Sequence, residues 1–203
     1  MNFLNESGSP SRTHALVIAT KNHGKFIEFA ERLKDTDIRL LSLSDFPDMP
    51  EIEEDGSTFL ENALLKARAA CAYTGLPALA DDSGLMVDAL NGEPGVRSAR
   101  FAQTTAERNL KLLSLLKDVP DNNRTARFVC ALALIRPDGF EWTTLGVAEG
   151  VIIRAPSGEG GFGYDPLFLY PPLGMTFAEI PLGEKNKISH RGIALDDFRR
   201  SVI

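Results

Sequence analysis

Thr125-Ala126-Arg127-Phe128-Val129-Cys130-Ala131-Leu132-Ala133-Leu134-Ile135 is apolar on both of its alternating faces. A strand with one wet face alternates apolar and polar residues, so this run predicts a central strand covered on each side. Pro137-Asp138-Gly139 turns the chain back into Phe140-Glu141-Trp142-Thr143-Thr144-Leu145 as an antiparallel partner, and Val147 to Ile153 continues as another strand. Toward the N-terminus, Leu76-Pro77-Ala78-Leu79-Ala80, Ile38-Arg39-Leu40-Leu41-Ser42-Leu43 and His14-Ala15-Leu16-Val17-Ile18-Ala19-Thr20 read as short buried strands. Helical stretches lie between strands, so the expected class is α/β, with a mixed sheet that is parallel early and built of hairpins late.

The helices carry their own signals. Lys25 to about Leu33 places Phe26, Phe29, Ala30 and Leu33 at helical spacing, leaving Glu28, Glu31, Arg32 and Lys34 to face water. Thr58-Phe59-Leu60-Glu61 and Thr104-Thr105-Ala106-Glu107 both have the capping-box form and open helices to about Tyr73 and Leu116. In the first of these, Leu64, Leu65, Ala67 and Cys71 are the expected apolar contacts, while Asn62, Lys66 and Arg68 read as solvent-facing or structural; in the second the contacts are Leu110, Leu113 and Leu116. Ser189 suits the N-cap of a last helix to Val202, with Leu195, Phe198 and Val202 inward.

With 203 residues the chain fits one domain, residues 14–203, after a flexible tail of residues 1–13 rich in polar residues and turn formers. A net charge of −6 argues against broad contact with a nucleic-acid backbone, which needs many Lys and Arg against phosphates, but permits a small phosphorylated ligand. No apolar run approaches the roughly 18 residues of a membrane span, and the first residues lack a basic segment followed by an apolar one, so a cytoplasmic protein is expected. Cys71 and Cys130 sit in apolar contexts and read as reduced core residues.

Four stretches carry candidate chemistry. Asp81-Asp82-Ser83-Gly84 ends an apolar run, and because adjacent strand residues point to opposite faces, the two acids share a metal or substrate only if a turn at Ser83-Gly84 re-aims one. Two roles are expected; a loop with Asp81 capping an amide is the plainer alternative. Thr20-Lys21-Asn22-His23-Gly24-Lys25 joins strand to helix, offering backbone amides, a positive dipole end and the charge of Lys25 to a phosphate. Ala19 and Phe26 stand where a P-loop needs Gly and Ser or Thr, so it is not one, and an ordinary strand-helix turn also matches. Between them, Glu51, Glu53, Glu54 and Asp55 form an acidic run that is either a solvated surface or a cation site.

The fourth stretch lies in the last quarter of the chain. Gly158, Gly160 and Gly163 satisfy a dinucleotide fingerprint, but Tyr164-Asp165-Pro166 follows where a helix should begin, which rejects it. The glycines suit close approach to a flat ligand with Phe162 or Tyr164 stacking, or else aromatics tucked into the core. Lys185, His190 and Arg191 gather at a helix start, where cations oppose the dipole; a bound anion or carbonyl would offset that conflict.

Taken together, Thr20 to Lys25, Ala80 to Ala102, Gly161-Phe162-Gly163-Tyr164-Asp165-Pro166 and Glu184-Lys185-Asn186-Lys187-Ile188-Ser189-His190-Arg191 closely resemble the inosine triphosphate pyrophosphatase family, also called Ham1 or RdgB-like. The match runs from about His14 to Phe198; Lys21 stands where the family often has Gly. The resemblance implies an elongated mixed sheet flanked by helices, two lobes with a central cleft (ITPase/Maf-like), and a homodimer. It also implies Mg2+-dependent hydrolysis of ITP, dITP or XTP to the monophosphate and pyrophosphate, removing non-standard purines from the nucleotide pool. On this reading Asp82 is the proton acceptor and, with Glu54 or Glu53 and assisted by Asp81, holds Mg2+. Thr20, Lys21, Asn22, His23, Gly24, Lys25, Ser83 and Lys185 take phosphate; Phe162 or Tyr164, beside Gly163, stacks on the base; Asp165, His190 and Arg191 reach its polar edge. The alternatives are a pyrophosphatase for other modified nucleotides, or a nucleotide-binding module without catalysis.

Overall fold

The computed structural model describes residues 14–203; the expected tail, residues 1–13, lies outside the described residues. Strands β1 (His14–Ile18), β2 (Ile38–Ser42), β3 (Ala78–Val87), β4 (Thr125–Ile135), β5 (Glu141–Ile152), β6 (Phe168–Tyr170) and β7 (Met175–Thr176) form one sheet in the order β2-β1-β3-β4-β5-β6-β7. β1 runs parallel to β2 and β3, and every later pairing is antiparallel. This is the mixed sheet that the sequence predicts. Helices α1 (His23–Leu33), α2 (Phe59–Thr74), α3 (Thr105–Leu115), α4 (Leu182–Ile188) and α5 (His190–Val202) surround it.

Strand alternation sorts the core into two layers. Val17, Ala78, Ala80, Val129, Ala131 and Ala133 pack with Ala63, Ala67 and Ala70 of α2. Small residues on both sides bring α2 close to the sheet. The opposite set, Leu16, Ile18, Leu79, Cys130, Leu132 and Leu134, packs with Phe29 and Leu33 of α1 and with Leu195, Phe198 and Val202 of α5. Each fully buried Phe or Leu there is worth about 1.5–3 kcal/mol of apolar burial. A third cluster joins Leu112 and Leu116 to Phe128, Phe168 and Phe177 at the far end of the sheet.

Several local expectations change. β3 does not turn at Ser83-Gly84: it runs on to Val87 because β4 pairs with it throughout, Ser83 opposite Cys130 and Gly84 opposite Val129. The expected strand from Phe140 and the one from Val147 are a single strand, β5, that passes through Gly146. The helix stripes also shift. On α1 Glu28 is buried, on α2 Asn62 and Lys66 are buried with Ala63 and Ala67, and on α3 Leu112 turns inward while Leu110 is exposed.

Gly146 lets α5 close on the sheet: a Cβ there would overlap His190 O and lie 2.8 Å from Ala194 N. Gly146→Ala should therefore cost about 1–3 kcal/mol by overpacking, read as a drop of about 2–12 °C in the melting temperature. Gly183→Ala, where no neighbour lies within 4 Å of the added Cβ, is the control and should be neutral or stabilising.

Candidate active site

β3 outruns β1. Their pairing ends at Ile18 opposite Leu79, so Asp81 and Asp82 stand just past the C-terminal end of β1, beside the turn into α1. Ligands of open α/β sheets bind outside such strand ends. Here a cavity of about 900 Å³ opens, within the ~300–1,000 Å³ usual for ligand sites. Its walls are the turn Ala19–Asn22 with Lys25, the acidic loop around Glu54, the segment Gly95–Arg100, and the loop bearing Phe162 to Asp165; Lys185, His190 and Arg191 close it.

Alternation along β3 sends the two acids to opposite layers. Asp81 faces α1 and α5, where Arg191 Nε donates to its Oδ2 at 2.9 Å, Cys130 Sγ also donates to Oδ2 at 2.9 Å, Ser83 Oγ donates to Oδ1 at 3.0 Å, and Lys25 Nζ pairs with Oδ1. Burial works against the Asp81 carboxylate, yet Arg191 and Lys25 hold it well below the usual carboxylate range. Asp82 faces α2. Lys66 Nζ donates to its Oδ1 at 2.9 Å and Asn62 Nδ2 to its Oδ2 at 3.3 Å. Burial pushes the Asp82 carboxyl up, Lys66 and Lys25 only partly offset this, and the like charge of Asp81 adds to it. Thus Asp81 is a locked anion and Asp82 the better base.

The cations at the start of α5 are explained from within the chain. Arg191 is 1% exposed, pairs with Glu28 through Nη1 and with Asp81, and donates to Ser83 Oγ at 2.8 Å. Lys185 donates to Glu28 Oε1 and Asp165 Oδ2, both at 2.8 Å. Burial raises the Glu28 carboxyl, but Arg191 and Lys185 bring it below its ordinary value. Arg191 lines the cavity, where its guanidinium also bonds to two carboxylates and a hydroxyl.

Other expected residues divide. Asn22 Oδ1 accepts from Lys25 N at 3.1 Å, so it caps α1, and Thr20 Oγ1 accepts from Asn22 N at 3.1 Å; two of the amides expected for phosphate are thus met inside the turn. Lys21 lines the cavity with an exposed side chain, whereas His23 is exposed and outside the lining, and Gly24 packs against the Phe162 ring. Phe162, half-buried, lies with its ring 5.2 Å from Lys185 Nζ and 5.8 Å from Arg191 Cζ. Tyr164, the other candidate stacking ring, lines the cavity but is buried: it is 5% exposed, its Oη donates to Ser98 O at 3.0 Å, and burial pushes its hydroxyl up to about 12. Gly163 lines the cavity, and its carbonyl accepts from Asn109 Nδ2 at 3.2 Å. Asp165 accepts from Phe162 N at 2.8 Å. His190 stacks on Phe128, its Nδ1 has no hydrogen-bond partner among the described residues, and burial with Arg191 nearby keeps it neutral.

Of the acidic run, Glu51, Glu53, Glu54 and Asp55 all line the cavity; Glu54 is part-buried while Glu53 is exposed. Glu54 Oε2 accepts from Lys66 Nζ at 3.0 Å. Among the described residues no three His, Cys, Asp or Glu side chains gather as a ready metal cage. Asp82 and Glu54 do converge on one positive charge, the Lys66 ammonium, and hard carboxylate oxygens suit Mg2+, which is held by one or two carboxylates plus phosphates. Asp81 stands apart from that pair, on the other layer of the sheet against Arg191 and Lys25, and does not line the cavity.

Sequence reading misses Glu28, Asn62 and Lys66. A signal was present: Phe59, Asn62, Ala63, Lys66, Ala67 and Ala70 recur at i, i+3, i+4, i+7, i+8 and i+11, so two polar residues occupy positions of the apolar stripe. Glu28 lies three residues after Lys25, on the same helix face.

An open sheet with lysines and carboxylates interleaved in a cleft at its strand ends defines an α/β protein built to handle a phosphorylated ligand. The chain belongs to the Ham1 family, whose model matches residues 16–201. It is 57% identical over 183 residues to a dITP/XTP pyrophosphatase of Geobacter sulfurreducens, covering 89% of this chain and 92% of the relative, and 55% identical to one of Thermus thermophilus, covering 89% and 87%. A HAM1 protein from Coxiella burnetii has a closely similar structure, with a TM-score of 0.83 and 46% identity over 92% of this chain and 97% of that one.

The two acids predict unequal effects on stability. Asp81→Asn removes one partner of a buried ion pair and should cost roughly 3–5 kcal/mol at pH 7. Because the folded-state value of Asp81 is depressed, its stabilisation is present above the ordinary 3.8 and is lost as pH falls below it, so the variant should also flatten the acid limb of stability against pH. Asp82→Asn removes a charge that burial disfavours and should stay within about 1 kcal/mol of the parent. Denaturant melts from pH 3 to 7 check both.

Proposed function

We propose that this protein hydrolyses non-standard purine nucleoside triphosphates, dITP, XTP and ITP, to the monophosphate and pyrophosphate. The observation that carries the reading is the unequal acid pair: one carboxylate locked between Arg191 and Lys25, its neighbour at the cavity wall beside Lys66, where burial raises its proton affinity. A protein that only bound nucleotide would not need that second, water-activating carboxylate. The relatives' activity as dITP/XTP pyrophosphatases, by which they are named, supports the same class.

In this mechanism Lys25, at 15% side-chain exposure, and Lys66 bring positive charge to the phosphates, and Ser83 supplies a hydroxyl or amide. Asp82 accepts the proton of the attacking water at a carboxylate oxygen. Glu54 and Asp82 would hold Mg2+, which would supply positive charge against the phosphates and favour attack by water. Asp81 keeps Lys25 and Arg191 in place and takes no proton. Catalysis of phosphoryl transfer by positioning and charge stabilisation needs no covalent intermediate.

For the base, Phe162 offers a half-buried ring, and the neutral His190 offers a ring nitrogen without a partner. A donor aimed at the 6-keto oxygen of hypoxanthine or xanthine is left unpaired by the 6-amino group of ATP, a loss of roughly 1–3 kcal/mol. GTP shares the 6-keto oxygen, so its exclusion falls on the 2-amino position.

We further read residues 14–203 as a single two-lobed domain, working in the cytoplasm as a homodimer. No helix of the described residues is long and apolar enough to cross a membrane. Leu145 and Val147 on β5, 57% and 39% exposed, give a second copy an apolar strip to cover.

Incubation with dITP, XTP and ATP and Mg2+, followed by product separation, tests the activity: pyrophosphate and monophosphate should form from dITP and XTP much faster than from ATP, while orthophosphate with a diphosphate would sink the proposed cleavage. Asp82→Asn should lower kcat at least ~100-fold, the scale of a general base. Lys25→Ala, a lost phosphate contact, should act on KM as well as kcat.

A further inference from the structure

We infer that Asn62 is a positioning residue for this proposed hydrolysis: one rigid amide holds the proton acceptor and the acidic loop in register. Its side chain is fully buried on α2, one turn before Lys66. Oδ1 accepts from the backbone N–H of Gly56 at 2.8 Å, and Nδ2 donates to Asp82 Oδ2 at 3.3 Å. The first bond decides the orientation of the second. Only the amide oxygen can accept from Gly56, so the nitrogen must face Asp82, and the amide plane leaves no freedom to satisfy one partner without the other.

The loop side of this contact is built for close approach. A Cβ on Gly56 would lie 2.6 Å from Asn62 Oδ1 and 3.0 Å from Asn62 N, so the loop reaches the helix there only as glycine. Two residues earlier, Arg100 Nη2 donates to Glu54 O at 3.1 Å. The segment from Glu54 to Gly56 has no regular secondary structure, yet its backbone is held at both ends, once by the cleft segment Gly95–Arg100 and once by α2. Between those holds the Glu54 carboxylate meets Lys66 Nζ, which also meets Asp82. Asn62 therefore closes a ring: Asp82, Asn62, Gly56, Glu54, Lys66 and back to Asp82. Its removal frees Asp82 Oδ2 and the loop together.

The test separates the two bonds. Asn62→Asp keeps an oxygen for Gly56 N–H but faces Asp82 with an acceptor in place of a donor; Asn62→Ala loses both. Backbone amide exchange of the nucleotide-free protein should be about tenfold faster at Gly56 in Asn62→Ala, the equivalent of one lost hydrogen bond, and close to the parent in Asn62→Asp. Both variants should lose about 100-fold in kcat toward dITP, the scale of a misplaced catalytic group, with KM within threefold. Unchanged exchange at Gly56 in Asn62→Ala, or parent kcat in Asn62→Asp, would overturn the proposal. So would melting temperatures that fall while kcat below the transition stays at the parent value, since that is a purely structural role. If Asn62→Ala does not fold, the near-isosteric Asn62→Asp carries the kcat arm, and Arg100→Ala, expected to speed exchange at 54–56, replaces it in the exchange arm. A parent protein that leaves dITP intact would refute the hydrolase reading, while the exchange arm would still decide the hold on the loop.

Discussion

Arg191 is the charge that the rest of the site is arranged around. It stands in the first turn of α5, where the helix dipole disfavours a cation, and it is fully buried. Such a group persists only with well-placed counter-charges, and Asp81 from β3 and Glu28 from α1 provide them. Three elements distant in sequence are thereby tied at one point. Glu28 passes the tie to Lys185 of α4, and Lys185 passes it to Asp165 at the loop of Phe162. One run of alternating charge thus joins the strand bearing the acids to the loop proposed to hold the base.

The second network, Glu54, Lys66 and Asp82, lies on the other layer of the sheet. Its separation from the first is a consequence of strand geometry: neighbours on β3 cannot share a face. That division lets two adjacent aspartates have different proton affinities within one cleft. Asp81 sees a fully buried guanidinium and stays charged, while Asp82 is desolvated against a lysine it must share with Glu54. Lys25, Lys66 and Lys185 are each held by carboxylates, which keeps Lys66 and Lys185 protonated despite burial.

Much of the fold was legible because it rests on local patterns. The double-sided apolar run of β4, the two capping boxes and the Ser189 cap all stand as read. The errors have a common cause. Glu28 reads as facing water, and Asn62 and Lys66 as solvent-facing or structural, because charged and amide side chains usually are, and only partners from β3, α4 and α5 make their burial tolerable. The Ser83-Gly84 turn was expected from residue type, but pairing with β4 holds the strand straight.

The sequence by itself determined the alternation that parts Asp81 from Asp82, the helix starts, and the motifs that mark the Ham1 family. Those depend on neighbours a few residues apart. Tertiary structure alone decided which acid is locked as an anion and which has its proton affinity raised, that Glu54 meets Lys66, that Tyr164 is buried, and that Arg191 pairs with carboxylates of its own chain. Proton affinity and charge pairing depend on burial and on distances of about 3 Å between residues more than a hundred positions apart, as Asp81 and Arg191 are. No periodicity in the chain records those distances.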